Sequence, residues 1–372
     1  MRIRAAVVNG VNQDYNIEEV EIEEPRLNEV LVKIVAAGIC HSDEAFRLGE
    51  AAYAFPAVFG HEGAGIVEKV GEAVTDIKPG DHVVVSYAYC GKCKECREGR
   101  PSTCENWPLM NFGTRMDGTT TLHKLDGGNI VNILGQASLA EYTLVHENNI
   151  TKVDKDVDLR FAGPLGCGFL TGLGAIYNGI KPEPNSSMIV FGTGTVGDAC
   201  IMAAKAIGCN PIIAVDIHEH RLDEALELGA THKINSSNTE NVLEEIHKIC
   251  KAGGMSVIDT TGVESVMKLA LDATAQGGTY APLAVTSNEI TMKPFLDVVA
   301  TTKTIKGVLM GNAVPQVSIK QMLDLNKAGL FPFEKICKFY DFEDVNQAAN
   351  DSNTGKTLKP ILIVDKEYEP NN

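Results

Sequence analysis

Positive charge is in short supply in this chain. Across 372 residues, 33 Lys and Arg stand against 49 Asp and Glu, a formal net charge of −16. That balance excludes a protein whose main task is to grip phosphate backbones or anionic lipid. Long apolar runs are missing as well. The early stretch Met1 to Val8 carries Arg2 and Arg4 and stops at Asn9-Gly10, too short for the core of a secretory signal. The most apolar later segment, 188–209, holds Asp198, Lys205 and several glycines, which suits a buried strand and helix rather than a membrane span. The expectation is a cytoplasmic protein with neither nucleic acid nor membrane among its partners. No internal repeat or low-complexity tract is visible, and only 366–372 reads as a disordered tail.

What is present is ordinary globular material, 44% hydrophobic and 22% charged, with length for two domains at about 150 residues each. From Val30 to about Tyr89 the sequence is β-rich, with runs such as 30–35 and 83–85 punctuated by Gly38, Gly60, Gly71 and Pro79-Gly80. From Met188 the pattern changes. Short apolar runs at 188–191, 212–215, 231–234, 256–259, 279–283 and 304–308 alternate with helix-length amphipathic stretches. Strands alternating with helices imply right-handed crossovers and a doubly wound parallel α/β sheet. A helix at 317–328 and a last strand at 360–364 remain, and we place them back on the first domain.

Ten cysteines in a chain without an export signal point to metal before disulfides, because cytosolic thiols are kept reduced. Cys90-x2-Cys93-x2-Cys96-x7-Cys104 lets four sulfurs converge about 2.3 Å from one zinc. A site closed by four thiolates has no open position, so an ion there would hold a lobe together rather than react. A cluster of reduced or redox-active thiols is the competing reading. Cys40, His61 and Cys167 are dispersed, and singly each is as well explained by core packing. Jointly they are the ligand set of a zinc that keeps its fourth position for water or an alcohol and acidifies the oxygen there. Asp43 and Glu62 are carboxylates beside these ligands, either accepting the free N–H of His61 or simply solvated. Cys200, Cys209, Cys250 and Cys337 read as core thiols, and His218, His220 and His247 as solvated side chains.

Gly192-Thr193-Gly194-Thr195-Val196-Gly197 follows the first of the apolar runs and opens a helix-length segment. In that context Gly192 makes the turn, Gly194 lets backbone approach a pyrophosphate, and Gly197 allows close helix–strand packing. Asp216 ends the next run, where a carboxylate meets ribose hydroxyls and repels an extra 2′-phosphate, which favours NAD over NADP. Arg221, five residues on, could hold a phosphate or lie beside the adenosine ribose.

With these residues in order, essentially the whole chain resembles the zinc-dependent medium-chain alcohol dehydrogenases. Cys40, His61 and Cys167 match that family's catalytic-zinc positions, and Cys90, Cys93, Cys96 and Cys104 its structural-zinc lobe. Gly192, Gly194, Val196, Gly197 and Asp216 match its coenzyme loop. The resemblance implies an α/β fold in two domains: a GroES-like β-rich catalytic domain at 1–170 and a Rossmann coenzyme domain at 171–310, with 311–372 returning to the catalytic domain. It further implies two zinc ions per chain, NAD, and a homodimer or homotetramer joined through the coenzyme domains. Ser42 would take the alcohol proton, His41 and Lys359 would approach the pyrophosphate, and Arg221 would adjoin the ribose.

Within the family the chain is most similar to bacterial benzyl (aryl) alcohol dehydrogenases, on Cys40-His41-Ser42-Asp43, on 163–168 and on the tail around Lys338-Phe339-Tyr340 and Asn346-Gln347-Ala348-Ala349. Where many members carry a histidine five residues after the first zinc ligand, this chain has Ala45, so a proton leaving Ser42 must exit by water or another group. Tyr87 aligns with an aromatic pocket residue or is a plain strand tyrosine. The expected reaction is oxidation of a primary aryl alcohol with NAD; geraniol-like, short aliphatic and hydroxymethylglutathione substrates are the alternatives. A zinc-ribbon interaction module leaves the glycine loop unexplained, and a doubly wound methyltransferase has no use for a catalytic zinc.

Overall fold

The computed structural model describes residues 1–370. The chain divides into two compact units, Met1–Gly168 with Val314–Lys320 and Ile336–Asn372, and Phe169–Ala313 with Gln321–Lys335. The expected return of the chain end therefore differs in one segment, since Gln321–Lys335, within the anticipated 311–372 stretch, groups with the second unit. The helix at 317–328 runs from Pro315 to Lys327, and its two halves belong to different units.

In the first unit, the strands build two main sheets. Five strands run in the order Ala57–Val58, Arg2–Val8, Asn16–Ile22, Leu122–Lys124, Asn129–Ile130. In Arg2–Val8, residues Ile3, Ala5 and Val7 are buried with Val20, Ile22 and Leu122 of its neighbours; Arg2 and Arg4 face solvent, while Ala6 and Val8 further along are buried as well. A larger sheet is organised around Glu29–Gly38, which pairs antiparallel with Gly63–Val70, Tyr142–His146 and the last strand, Lys359–Ile363. Lys359–Ile363 lies between Glu29–Gly38 and Cys337–Asp341. The chain's end thus becomes an inner strand of a sheet begun by its first third, which places Lys359 beside residues around 38 and 62.

The second unit is a six-stranded parallel sheet. Its order is His232–Asn235, Ile212–Asp216, Met188–Phe191, Gly254–Asp259, Thr274–Pro282, Thr304–Ile305. By sequence rank that is 3-2-1-4-5-6, the doubly wound order whose direction reverses beside the first strand. Met188–Phe191 is buried along its whole length, as a strand covered by helices on both faces must be. The six expected runs are all strands, with shifted ends. The run at 304–308 keeps ladder pairing only at Thr304–Ile305, because it is an edge with one neighbour and Gly307 offers no side chain to pack.

The tail expectation needs correction: Lys366 pairs with Asp341 and Glu343, and the Tyr368 hydroxyl accepts a hydrogen bond from the Leu159 amide. Asn371 and Asn372, the remainder of that expected tail, lie outside the described residues. Among the described residues no single helix is long and apolar enough to cross a membrane. One bent pair, Leu159–Gly166 with Gly168–Ile180, passes by length and composition alone.

Candidate metal centres and coenzyme loop

Cys40 stands at the N-cap of the helix His41–Leu48, His61 in the turn before the strand Gly63–Val70, and Cys167 directly after the short turn Gly163–Gly166. Their sulfur and imidazole atoms all lie within 4.8 Å of one another. Close backbone contact makes this convergence possible. A Cβ on Gly166 would meet the Val85 carbonyl at 2.1 Å, and one on Gly38 would meet Glu62 Oε2 at 2.1 Å, so only glycine lets these segments approach.

The imidazole is fixed from one side. Its Nδ1 lies 2.8 Å from Asp43 Oδ1, and because an ionised carboxylate can only accept, Nδ1 carries the proton. Asp43 is itself held by the amides of Cys40 and Gly60 at 3.2 and 3.0 Å. Nε2 of His61 is buried and has no hydrogen-bond partner among the described residues. A buried lone pair without a partner is costly in a native fold, and here it faces two thiols, the donor set that suits zinc. The residues present therefore fit a metal. A hydrogen bond from Cys167 holds the Cys40 thiol well below its usual range, and the same bond with burial pushes Cys167 well above it. For His61, burial opposes protonation, but the charges of Asp43 and Cys40 outweigh it and raise the pKa.

Glu62 and Lys359 form a second buried pair. Glu62 Oε2 accepts from Lys359 Nζ at 2.8 Å and Oε1 from the Gly168 amide at 3.1 Å, while Nζ also donates to the Ile39 carbonyl. Burial pushes Glu62 up to about 7 despite the attraction of Lys359. Lys359, expected to approach the coenzyme pyrophosphate, is 2% exposed, and two of its three ammonium donors go to Glu62 and Ile39. Strand pairing of Lys359–Ile363 with Glu29–Gly38 turns the side chain toward Glu62. Gln136 carries no motif signal, yet its Nε2 donates to the carbonyls of His61 and Ser86 at 3.0 and 3.2 Å. It ties two loops of the site together, and a lone glutamine in a loop gives no warning of that.

Ser42 is partly buried and His41 exposed on the first turn of their helix, and Ala45 is 2% exposed on the same helix. Tyr87 is fully buried, its ring 4.8 Å from that of Trp107 and 6.0 Å from that of Tyr89. It is thus neither a half-buried strand residue nor an open pocket wall. Of the four remaining cysteines, Cys200, Cys209 and Cys250 are buried as expected and Cys337 is half-buried. His220 and His247 are exposed and His218 half-buried.

The four-cysteine lobe closes as its spacing predicts. The sulfurs of Cys90, Cys93, Cys96 and Cys104 all lie within 4.8 Å of one another, with Cys93 to Cys96 at 3.4 Å and Cys90 to Cys96 at 3.9 Å. Backbone amides of Cys93, Cys96, Cys90 and Asn106 point at Cys90, Cys93, Cys104 and Cys104 respectively, at 3.4 to 3.5 Å. These donors suit thiolates around a divalent cation.

In the parallel-sheet unit the glycine loop sits where the strand order reverses. Gly192 has φ +84°, and a Cβ on Gly197 would meet the Gly192 carbonyl at 1.9 Å, so the turn and the close helix–strand packing both require glycine. Beside Gly194, the N-cap of the helix Thr195–Ile207, no atom lies within 4 Å of a built Cβ. That is an open cradle at a helix N-terminus, the setting for a pyrophosphate. Asp216 reaches back to the loop: Oδ2 accepts from the Thr193 amide and hydroxyl at 2.8 and 3.0 Å, and Oδ1 from the His218 amide at 2.9 Å. Arg221 lies on the helix that follows, Glu219–Leu228.

A second unit built on a parallel sheet of doubly wound order with a phosphate loop, and a first unit with one three-ligand and one four-thiolate centre, define a metal-dependent dehydrogenase. The alcohol dehydrogenase GroES-like domain family matches residues 26–155 and the zinc-binding dehydrogenase family residues 195–328. Geraniol dehydrogenase of Castellaniella defragrans is 36% identical over 366 residues, covering 97% of each chain. A zinc-binding-domain alcohol dehydrogenase protein of Burkholderia ambifaria superposes with a TM-score of 0.95 at 40% identity, over 98% of this chain and 99% of that one. Benzyl alcohol dehydrogenase of Acinetobacter calcoaceticus gives 0.94 at 40% identity, over 98% and 100%. The chain belongs to the zinc-dependent medium-chain alcohol dehydrogenases.

Proposed function

We propose that this enzyme oxidises a primary aryl alcohol of the benzyl type to the aldehyde, reversibly, with NAD as hydride acceptor. One zinc would be held by Cys40, His61 and Cys167, and a second, structural zinc by Cys90, Cys93, Cys96 and Cys104. The observation that carries the zinc chemistry is the buried, unpartnered Nε2 of His61 facing two thiols. The likeness to the Acinetobacter benzyl alcohol dehydrogenase supports the aryl substrate, and the likeness to geraniol dehydrogenase supports a terpenoid alcohol as the second reading.

Bound zinc supplies a Lewis acid that lowers the pKa of an alcohol hydroxyl, and bound NAD supplies the hydride acceptor. The chain's own side chains do the rest. Asp43 keeps the proton of His61 on Nδ1 and so keeps the Nε2 lone pair free. Ser42 Oγ takes the alcohol proton, and since Ala45 offers no imidazole, water receives it from Ser42. Backbone amides at Gly194 to Val196 would face the pyrophosphate. Oδ1 of Asp216, which accepts from the His218 amide, would also accept from a ribose hydroxyl, and Arg221 would adjoin that ribose.

The same reading makes the enzyme a cytoplasmic homodimer or homotetramer. Ten cysteines with no disulfide among the described residues suit a reducing compartment. In the parallel-sheet unit, the edge strand Thr304–Ile305 and the neighbouring Phe295, Leu296 and Val299, at 67%, 56% and 62% exposure, leave apolar surface for a second copy to cover.

The test is kcat/KM for benzyl alcohol, cinnamyl alcohol, geraniol and ethanol with NAD on the zinc-replete protein. A preference of roughly tenfold for benzyl alcohol over ethanol and geraniol, about 1.4 kcal/mol, is expected. A geraniol or ethanol preference overturns the aryl assignment, and absence of turnover with every alcohol overturns the reaction.

A further inference from the structure

One buried acid has no place in the chemistry above. Asp198 lies in the first turn of the helix Thr195–Ile207, directly after Gly197. It is 0% exposed, and neither carboxyl oxygen has a hydrogen-bond partner. A carboxyl group left so is among the costliest things a core can contain. The helix Glu219–Leu228 packs against this one, and on it the Nε of Arg221 is likewise buried without a partner. Two unsatisfied polar groups therefore belong to adjoining helices, one a donor and the other able to accept. Burial raises the pKa of Asp198 well above the usual carboxylate range. The charges of Glu224 and Asp216 raise it further, and Arg221 is the one cation that lowers it. The carboxyl keeps an oxygen able to accept a hydrogen bond whether or not it is protonated.

We propose that Asp198 is a positioning residue for coenzyme binding: when coenzyme binds, its carboxyl takes up the Nε–H of Arg221, a bond that the structure leaves unmade with both groups unsatisfied, and tethers the guanidinium over the adenosine ribose, beside Asp216. The inference rests on the reading that a nicotinamide coenzyme occupies the glycine loop. A tethered Arg221 lies along the ribose hydroxyls without reaching outward. Released, it would serve the ribose less well and swing to a 2′-phosphate more readily. Asp198 therefore contributes both to affinity for NAD and to rejection of NADP.

The experiment is calorimetric measurement of Kd for NAD and for NADP on the zinc-replete protein, with melting temperatures, for wild type, D198N, D198L, R221A and D198L/R221A. In D198L, NAD is expected to bind about fivefold more weakly and the NADP-to-NAD affinity ratio to rise about tenfold. D198N, neutral and still an acceptor, keeps both values near wild type. Against an R221A background, D198L changes neither, the signature of two groups acting as one. D198A stands in for D198L, with the same expectations, where leucine does not fold. An affinity ratio within twofold of wild type in the apolar variant overturns the tether even if its melting temperature moves. So does a full effect of D198L in the absence of Arg221. Wild-type protein that binds NAD while the variants behave alike refutes only the role of Asp198; wild type that binds neither coenzyme overturns the coenzyme reading and this inference with it.

Discussion

Nδ1 of His61 stands 2.8 Å from Oδ1 of Asp43, with both side chains fully buried. The carboxylate is in turn pinned by the amides of Cys40 and Gly60, so one residue orients the imidazole and also fixes the backbone of a cysteine ligand. Replacing it should loosen the metal without removing any ligand. In Asp43→Ala, zinc affinity at the three-ligand centre should fall about 10- to 100-fold, read by competition with a chromophoric chelator. Retention of wild-type affinity would show that Asp43 does not orient the imidazole.

The pair Glu62 and Lys359 is nearly sealed from solvent, at 0% and 3% side-chain exposure. Removing one partner strands the other's charge. Lys359→Met should cost about 3 to 5 kcal/mol of unfolding free energy, and the double change Glu62→Gln with Lys359→Met should recover most of it. Chemical denaturation of the three proteins decides, and equal losses in the single and double variants would mean that the pair is not coupled.

The four-thiolate lobe should be separable from the reacting centre. Cys96→Ser is expected to drop bound zinc from two ions per chain to one, by elemental analysis, and to lower the melting temperature. The three-ligand centre should keep its ion. Loss of both ions would show that the two centres fold as one.

Asp198 gives a pH dependence with a definite sign. Its folded-state pKa is raised by burial, so the native state holds a proton that the unfolded chain releases above about pH 3.9. Its contribution to stability is full below that value and is lost as pH rises toward the folded pKa. Between pH 5 and 8 the melting temperature of wild type should therefore fall relative to that of Asp198→Asn. Parallel curves would show that Asp198 is ionised in the fold.

Much of this was legible in the sequence because the signals are local. The spacing of Cys90, Cys93, Cys96 and Cys104 closes a lobe within one short loop, and Gly192, Gly194 and Gly197 each meet a constraint set by the adjoining turn. The pairing of Lys359 with Glu62 was not legible because it depends on a strand pairing made more than 300 residues away in sequence, between Lys359–Ile363 and Glu29–Gly38. Tyr87 likewise acquired its environment from Trp107 and Tyr89.

The sequence by itself determined the class of both units, the two metal ligand sets and the phosphate loop, since each rests on hydrophobic period, residue type or short spacing, which travel with the chain wherever it goes. The tertiary structure decided which polar groups are buried and what satisfies them: the pairing of Glu62 with Lys359, the hold of Gln136 on His61, and the solitary carboxyl of Asp198. Burial is a property of what distant segments bring together, and in a low-dielectric interior it fixes whether a charge is paired, neutralised or left wanting a partner.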